Sequence, residues 1–168
     1  MIVSALSFSC NQEQRERLFE MTYSNIAFDI PAGLSATFPR VFERDEQLTN
    51  INFYLNNAQL DTAMILGINP LFARITSLDN GLDYNFVEEV SVRICPENST
   101  ACTIADEVFY IDNLRGRAGS RIDLLPTLRN AKRILTQQRY KLEVLFFFAY
   151  STPYTISSRL DMSFEAVK

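Results

Sequence analysis

The stretch RYKLEVLFFFAY, residues 139–150, repeats with a period of two. Tyr140, Leu142, Val144, Phe146, Phe148 and Tyr150 fall on one face. Only an extended strand keeps every second side chain on one side; a helix would scatter these six around its circumference. Lys141 and Glu143 mark the other face as solvated where the run begins. Leu145, Phe147 and Ala149 then turn it apolar, which describes a central strand covered on both sides toward its end. SSRLDMSFEAV alternates in the same way, with Leu160, Met162, Phe164 and Ala166 inward and Arg159, Asp161, Ser163 and Glu165 outward. STPY between the two is turn chemistry, so a long C-terminal hairpin is expected.

The earlier part of the chain reads alike. EEVSVRIC puts Val90, Val92 and Ile94 inward, and DEVFYID is its expected partner across a loop bounded by Cys95 and Cys102. YSNIAFDI and GLSATFPRVF are separated by the turn former Pro31-Ala32-Gly33, and Pro39 suits an edge position. TAMILGI and LFARITSL flank Asn69-Pro70, and RIDLLP adds another strand. Two stretches read as helices: QLTNINFYLNN, with Leu48, Ile51 and Leu55 on one face, and TLRNAKRILTQQ. The sum is one mainly β domain, an antiparallel β-sandwich of about seven to nine strands with one or two short helices.

Composition excludes several chemistries. The 168 residues contain no histidine, so Ser–His–Asp and Cys–His catalysis and histidine-ligated zinc are ruled out. S-x-x-K, G-x-G-x-x-G, P-loop and C-x-x-C patterns are missing too. Glu43–Glu46 and Glu88-Glu89 offer adjacent carboxylates, but neighbours on a strand point to opposite faces. DNGLD, residues 79–83, lacks the oxygen spacing of a calcium loop and reads as a type I′ turn. Tyr23, Tyr54, Tyr84 and Tyr154 are expected to line the core or its edge, since the chain has no Trp to build a flat sugar platform. A net charge of −4 with interspersed signs gives phosphate backbones no invitation, so no nucleic acid partner is expected. The reading is a non-catalytic protein without cofactor or metal.

The N-terminal run VSALSFSC stops at Cys10 before the polar NQEQRERLFE. L-S-F-S-C resembles the lipobox of exported bacterial lipoproteins of the Bacteroidota type, with Phe8 where a small residue is usual. That resemblance implies lipidation of Cys10, a truncated signal over residues 1–9, a tether over 10–22 and the sandwich over 23–168. It also implies a place in the cell envelope, at the outer membrane, with the lipid as membrane anchor and an envelope protein as partner. The other reading of the run is a first β-strand with Cys10 as a small buried side chain. With Cys10 taken by lipid, Cys95 and Cys102 remain as a pair closing a loop of eight residues. Such a bridge is worth about 2–2.5 kcal/mol in the chain-entropy picture and fits an oxidising compartment. Two reduced thiols are the alternative.

Asp61-Thr62-Ala63 resembles the acceptor used for O-glycosylation of exported Bacteroidota proteins, at Thr62. Arg115, Arg117 and Arg121 surround two glycines in NLRGRAGSR and form a candidate anion contact for a lipid phosphate or acidic glycan; a solvated loop is the simpler account. The functional expectation is a lipid-anchored structural or accessory component of an envelope assembly. A glycan- or lipid-binding module using the end loops is one alternative, and a virion or fibre subunit the other.

Overall fold

A computed structural model describes residues 15–168. Eight strands follow in the order β1 (Arg17–Ile30), β2 (Arg40–Leu48), β3 (Gly67–Ser77), β4 (Val87–Pro96), β5 (Glu107–Ile111), β6 (Arg121–Pro126), β7 (Arg139–Phe148) and β8 (Ile156–Val167). Helix α1 (Ile51–Ala58) stands between β2 and β3, and the single turn α2 (Lys132–Leu135) between β6 and β7. The lateral order is β1-β8-β3-β6-β5-β4-β7-β2, every pairing antiparallel. β6 pairs with β3 through Arg121–Leu124 and with β5 only at Leu125 and Pro126. It thereby divides the whole into two four-stranded sheets, β1-β8-β3-β6 and β5-β4-β7-β2, packed face to face. Chain connections pass from one sheet to the other except between β4 and β5, an eight-stranded jelly-roll arrangement.

The inward residues of β7 and β8 are those that alternation selects. Tyr140, Leu142, Val144, Phe146 and Phe148 of β7 face Leu160, Met162, Phe164 and Ala166 of β8, and all nine are buried. Aromatic rings knit the sheets together. Phe146 lies 5.9 Å from Phe28 and 5.6 Å from Phe42, and Phe109 lies 5.4 Å from Phe164. These separations suit tilted and edge-on aromatic contacts.

Several expectations are corrected. β7 and β8 make no hairpin: β7 pairs with β4 and β2, β8 with β1 and β3. In a hairpin their apolar faces would lie side by side. In separate sheets they oppose each other, and Tyr23 touches both Tyr140 and Phe164. Asn69-Pro70 does not divide two strands; β3 runs through it, with a register shift between Pro70 and Phe72. Pro70 is tolerated because β6 joins β3 only at Ala73–Thr76, so its missing N–H faces no ladder. Residues 62–64, expected in a strand, form a 3-10 turn. The sandwich begins at Arg17 rather than residue 23, because Met21 and Tyr23 already bury inward from β1. The expected tether therefore ends inside a strand. Residues 1–9 and Cys10 lie outside the described residues. In the 79–83 turn only Gly81 has a positive φ, at 79°, so the turn is not type I′.

Of the four singled-out tyrosines, Tyr23 and Tyr84 are buried, while Tyr54 and Tyr154 pack partly buried against the core. Tyr84 donates to Ser158 Oγ at 2.9 Å. Burial pushes its pKa from 10.0 up to about 12, and burial raises Tyr23 and Tyr140 further still. A phenol raised in the folded state contributes stability that is complete below its ordinary pKa and lost as pH climbs through the folded value. An alkaline titration followed by tyrosinate absorbance should show these phenols protonated well past pH 10, then ionising together as the fold opens. Smooth independent ionisation near pH 10 would contradict this burial.

Candidate functional site

Cys95, near the end of β4, is bonded to Cys102. The closed loop folds over the outer face of the second sheet, where Cys102 N–H donates to Glu143 Oε1 at 2.9 Å and Lys141 Nζ to Thr100 O at 3.0 Å. Lys141 and Glu143, expected on a solvated face, are consequently buried. Lys141 Nζ lies 3.3 Å from Glu43, 3.5 Å from Asp45 and 4.0 Å from Glu143. Burial works against its charge, but the hydrogen bonds and attraction of Glu43 and Asp45 prevail and hold its pKa above the ordinary value. The far end of the loop is tied down as well. Asp106 accepts from Thr103 N–H and Oγ1, both at 2.8 Å, and from Arg129 at 2.8 Å. Burial raises the Asp106 pKa, but these bonds overcome it and leave the carboxyl below its usual range.

Arg115, Arg117 and Arg121 lie in or beside the β5–β6 connection, at the end of the sandwich opposite Arg17. Leu114 and Ala118 anchor that loop in the core, and backbone bonds from Leu114 to Glu88 and from Gly116 to Asn85 fix its path. The three guanidinium groups are exposed and make no ion pair with the described residues. The hollows beside β1, β2, α1 and α2 are lined by other residues. Thr62 is half-buried in its 3-10 turn, where Asp61 caps Ala63 N–H at 2.8 Å and accepts from Thr62 Oγ1 at 3.3 Å.

Nothing in the residue pattern signals the seam between β1 and β2, the two ends of the strand order. Each leaves one edge unpaired, and each is bulged, β1 between Tyr23 and Ile26, β2 between Arg44 and Gln47. Arg44 donates across the gap to Ala27 O, and Phe28 and Phe42 meet beneath it at 5.5 Å. A hollow of about 300 Å³ remains, walled by Asp29 and Glu43 and floored by Leu142 and Val144. Bulges and charges of this kind keep an open edge from pairing indiscriminately. The seam is invisible in sequence because strands 1 and 2 are consecutive, and consecutive strands usually sit side by side.

No protein-family model matches the chain, and no curated protein matches it by sequence. Among solved structures it is similar to a subunit of a human norovirus GI.7 virus-like particle, at 15% identity and TM-score 0.35, over 87% of this chain and 31% of that one. It is also similar to Desmodium yellow mottle tymovirus, at 16% identity and TM-score 0.28, over 99% and 95% of the two chains. Cocksfoot mottle virus gives 10% identity and TM-score 0.28, over 100% and 93%. At these scores nothing about this chain's family or role follows from them.

Proposed function

We propose that the protein is a non-catalytic structural subunit of a cell-envelope assembly, anchored to a membrane through lipid on Cys10. The observation that carries this reading is the Cys95–Cys102 bridge, locked in place over Lys141 and Glu143. Bridges of this kind persist in oxidising compartments outside the cytoplasm. The interior supports a structural role, since aromatic and aliphatic side chains fill the space between the sheets. What the domain offers a partner is outer surface: two open strand edges and the loops at either end. Envelope proteins are the partners this surface would meet.

A second reading is favoured by one observation, the eight-stranded jelly roll itself, an architecture that builds viral capsids among other things. It assigns the chain to a virion or fibre. Intact mass spectrometry of the native protein separates the two. A chain starting at an acylated Cys10, gaining two hydrogens on reduction, is the expected result. An unmodified chain starting at Met1 would overturn the anchored reading and bring the shell or fibre subunit forward.

A further inference from the structure

We infer that the end of the sandwich where β1 begins is a membrane-docking face that lies against the lipid bilayer. This rests on the anchored reading above and adds an orientation to it. Strand polarity gathers three connections at that end: β2–β3 with α1, β4–β5 with the disulfide, and β6–β7 with α2. Both termini of the described chain are there too, since Lys168 N–H donates to Glu16 O and Leu66 N–H to Val167 O.

Six large apolar side chains stand exposed at this end: Leu48, Phe53, Met64, Leu66, Ile104 and Leu128. Leu128 is fully exposed and Ile104 is 69% exposed. The opposite end shows Phe38, Leu78 and Tyr150. Single exposed apolar residues need no explanation, but six on the connections of one end are a feature that marks an interaction surface. None of the six belongs to the buried core. On α1, for example, Ile51 and Leu55 face the core while Phe53 points away.

Two features select a bilayer as the occupant. The first is where the remaining chain enters. Cys10 is seven residues before Arg17, and seven extended residues reach no further than about 25 Å. A lipid on Cys10 therefore keeps this end within that distance of the membrane. The second is charge. Asn130 Nδ2 donates to Leu66 O, bringing the Leu128–Arg133 segment beside Leu66. Arg133 on that segment is exposed and has no carboxylate partner among the described residues, and Lys132, whose Nζ donates to Ile65 O, has none either, which suits an anionic headgroup layer. A tether alone would leave the domain free to tumble. A shallow apolar contact fixes its axis and turns the Arg115–Arg121 loop outward, away from the bilayer.

The test uses the full chain, native and as Cys10→Ser, with vesicles of phosphatidylethanolamine and phosphatidylglycerol in a flotation assay. The unlipidated Cys10→Ser chain should float with the vesicles. Adding Phe53→Ser, Leu66→Ser and Leu128→Ser should reduce its partitioning more than about tenfold, because shallow burial of three large apolar groups is lost. Phe38→Ser, Leu78→Ser and Tyr150→Ser at the other end should leave partitioning unchanged. All six positions are exposed, and near-ultraviolet circular dichroism verifies that each variant is folded. Partitioning indifferent to the first triple variant, or equally sensitive to the second, would overturn the docking face. So would light scattering that showed the first set abolishing self-association without any vesicle binding. Failure of the anchor is a separate result, read from the mass of the native chain: an unacylated protein removes the tether whatever the vesicles show.

Discussion

Phe146→Ala is expected to cost about 3–5 kcal/mol, the usual loss for emptying a fully buried aromatic site. Phe146 is completely buried and touches Phe28, Phe42 and Phe148, which belong to β1, β2 and β7. It sits beneath the seam, where no backbone ladder joins β1 to β2. Apart from the Arg44 bond to Ala27 O, side-chain packing holds those edges together, so relaxation into the cavity would pull on the least constrained part of the sheet. A domain of ordinary stability has about 5–15 kcal/mol to lose, so this variant should be close to unfolding at growth temperature. Urea unfolding followed by circular dichroism measures it. Phe146→Leu should recover most of the loss, because the site is filled again in part. A cost below about 1 kcal/mol for the alanine variant would mean that the cluster under the seam is not closed in solution.

Reducing the disulfide is expected to cost about 2.5 kcal/mol by the loop-entropy estimate. Glu143→Ala should cost about 1–3 kcal/mol in the oxidised protein, since it leaves the Cys102 N–H buried without an acceptor. The informative quantity is the combination. Both changes loosen the same loop from the same face, so together they should cost less than their sum. Once the bridge is open, Cys102 can turn its N–H to water, and removing Glu143 then orphans less. Denaturant melts of the four species, wild type and Glu143→Ala with and without reductant, give the coupling. Strict additivity would mean that the loop stays seated on β7 without the bridge, and that Lys141 and Glu143 alone secure it.

The strands were legible wherever apolar residues recur at every second position. β4, β7 and β8 were read from alternation, because Val90, Val92 and Ile94, or Leu160, Met162, Phe164 and Ala166, must all turn one way. Pairing was legible only where the loop is short. β4 and β5 were expected as neighbours and are neighbours. β7 and β8 are also joined by a short link and yet lie in opposite sheets, since nothing in STPY says whether the chain reverses or crosses over. The Cys95–Cys102 pair was visible as spacing. What lies under it was not: Lys141 and Glu143 are charged residues at strand positions, and only the path of a loop some 40 positions away decides that they are buried. The docking end was hidden for a similar reason. Leu48, Phe53, Leu66 and Leu128 are far apart in the chain and look individually like core residues.

The pairing of β1 with β8 has a consequence for the order of events in the cell. Arg17 lies opposite Val167 and Ile30 opposite Ile156, so β1 finds its partner only once β8, far along the chain, has been synthesised. A chain emerging from the ribosome holds β1 unpaired until β8 is free, and closing so long a loop makes folding slow. On the envelope reading proposed above, that delay is an advantage. On that reading the chain would remain open enough to be threaded across a membrane, and the sheet would close on the far side, where the thiols of Cys95 and Cys102 would meet their oxidant.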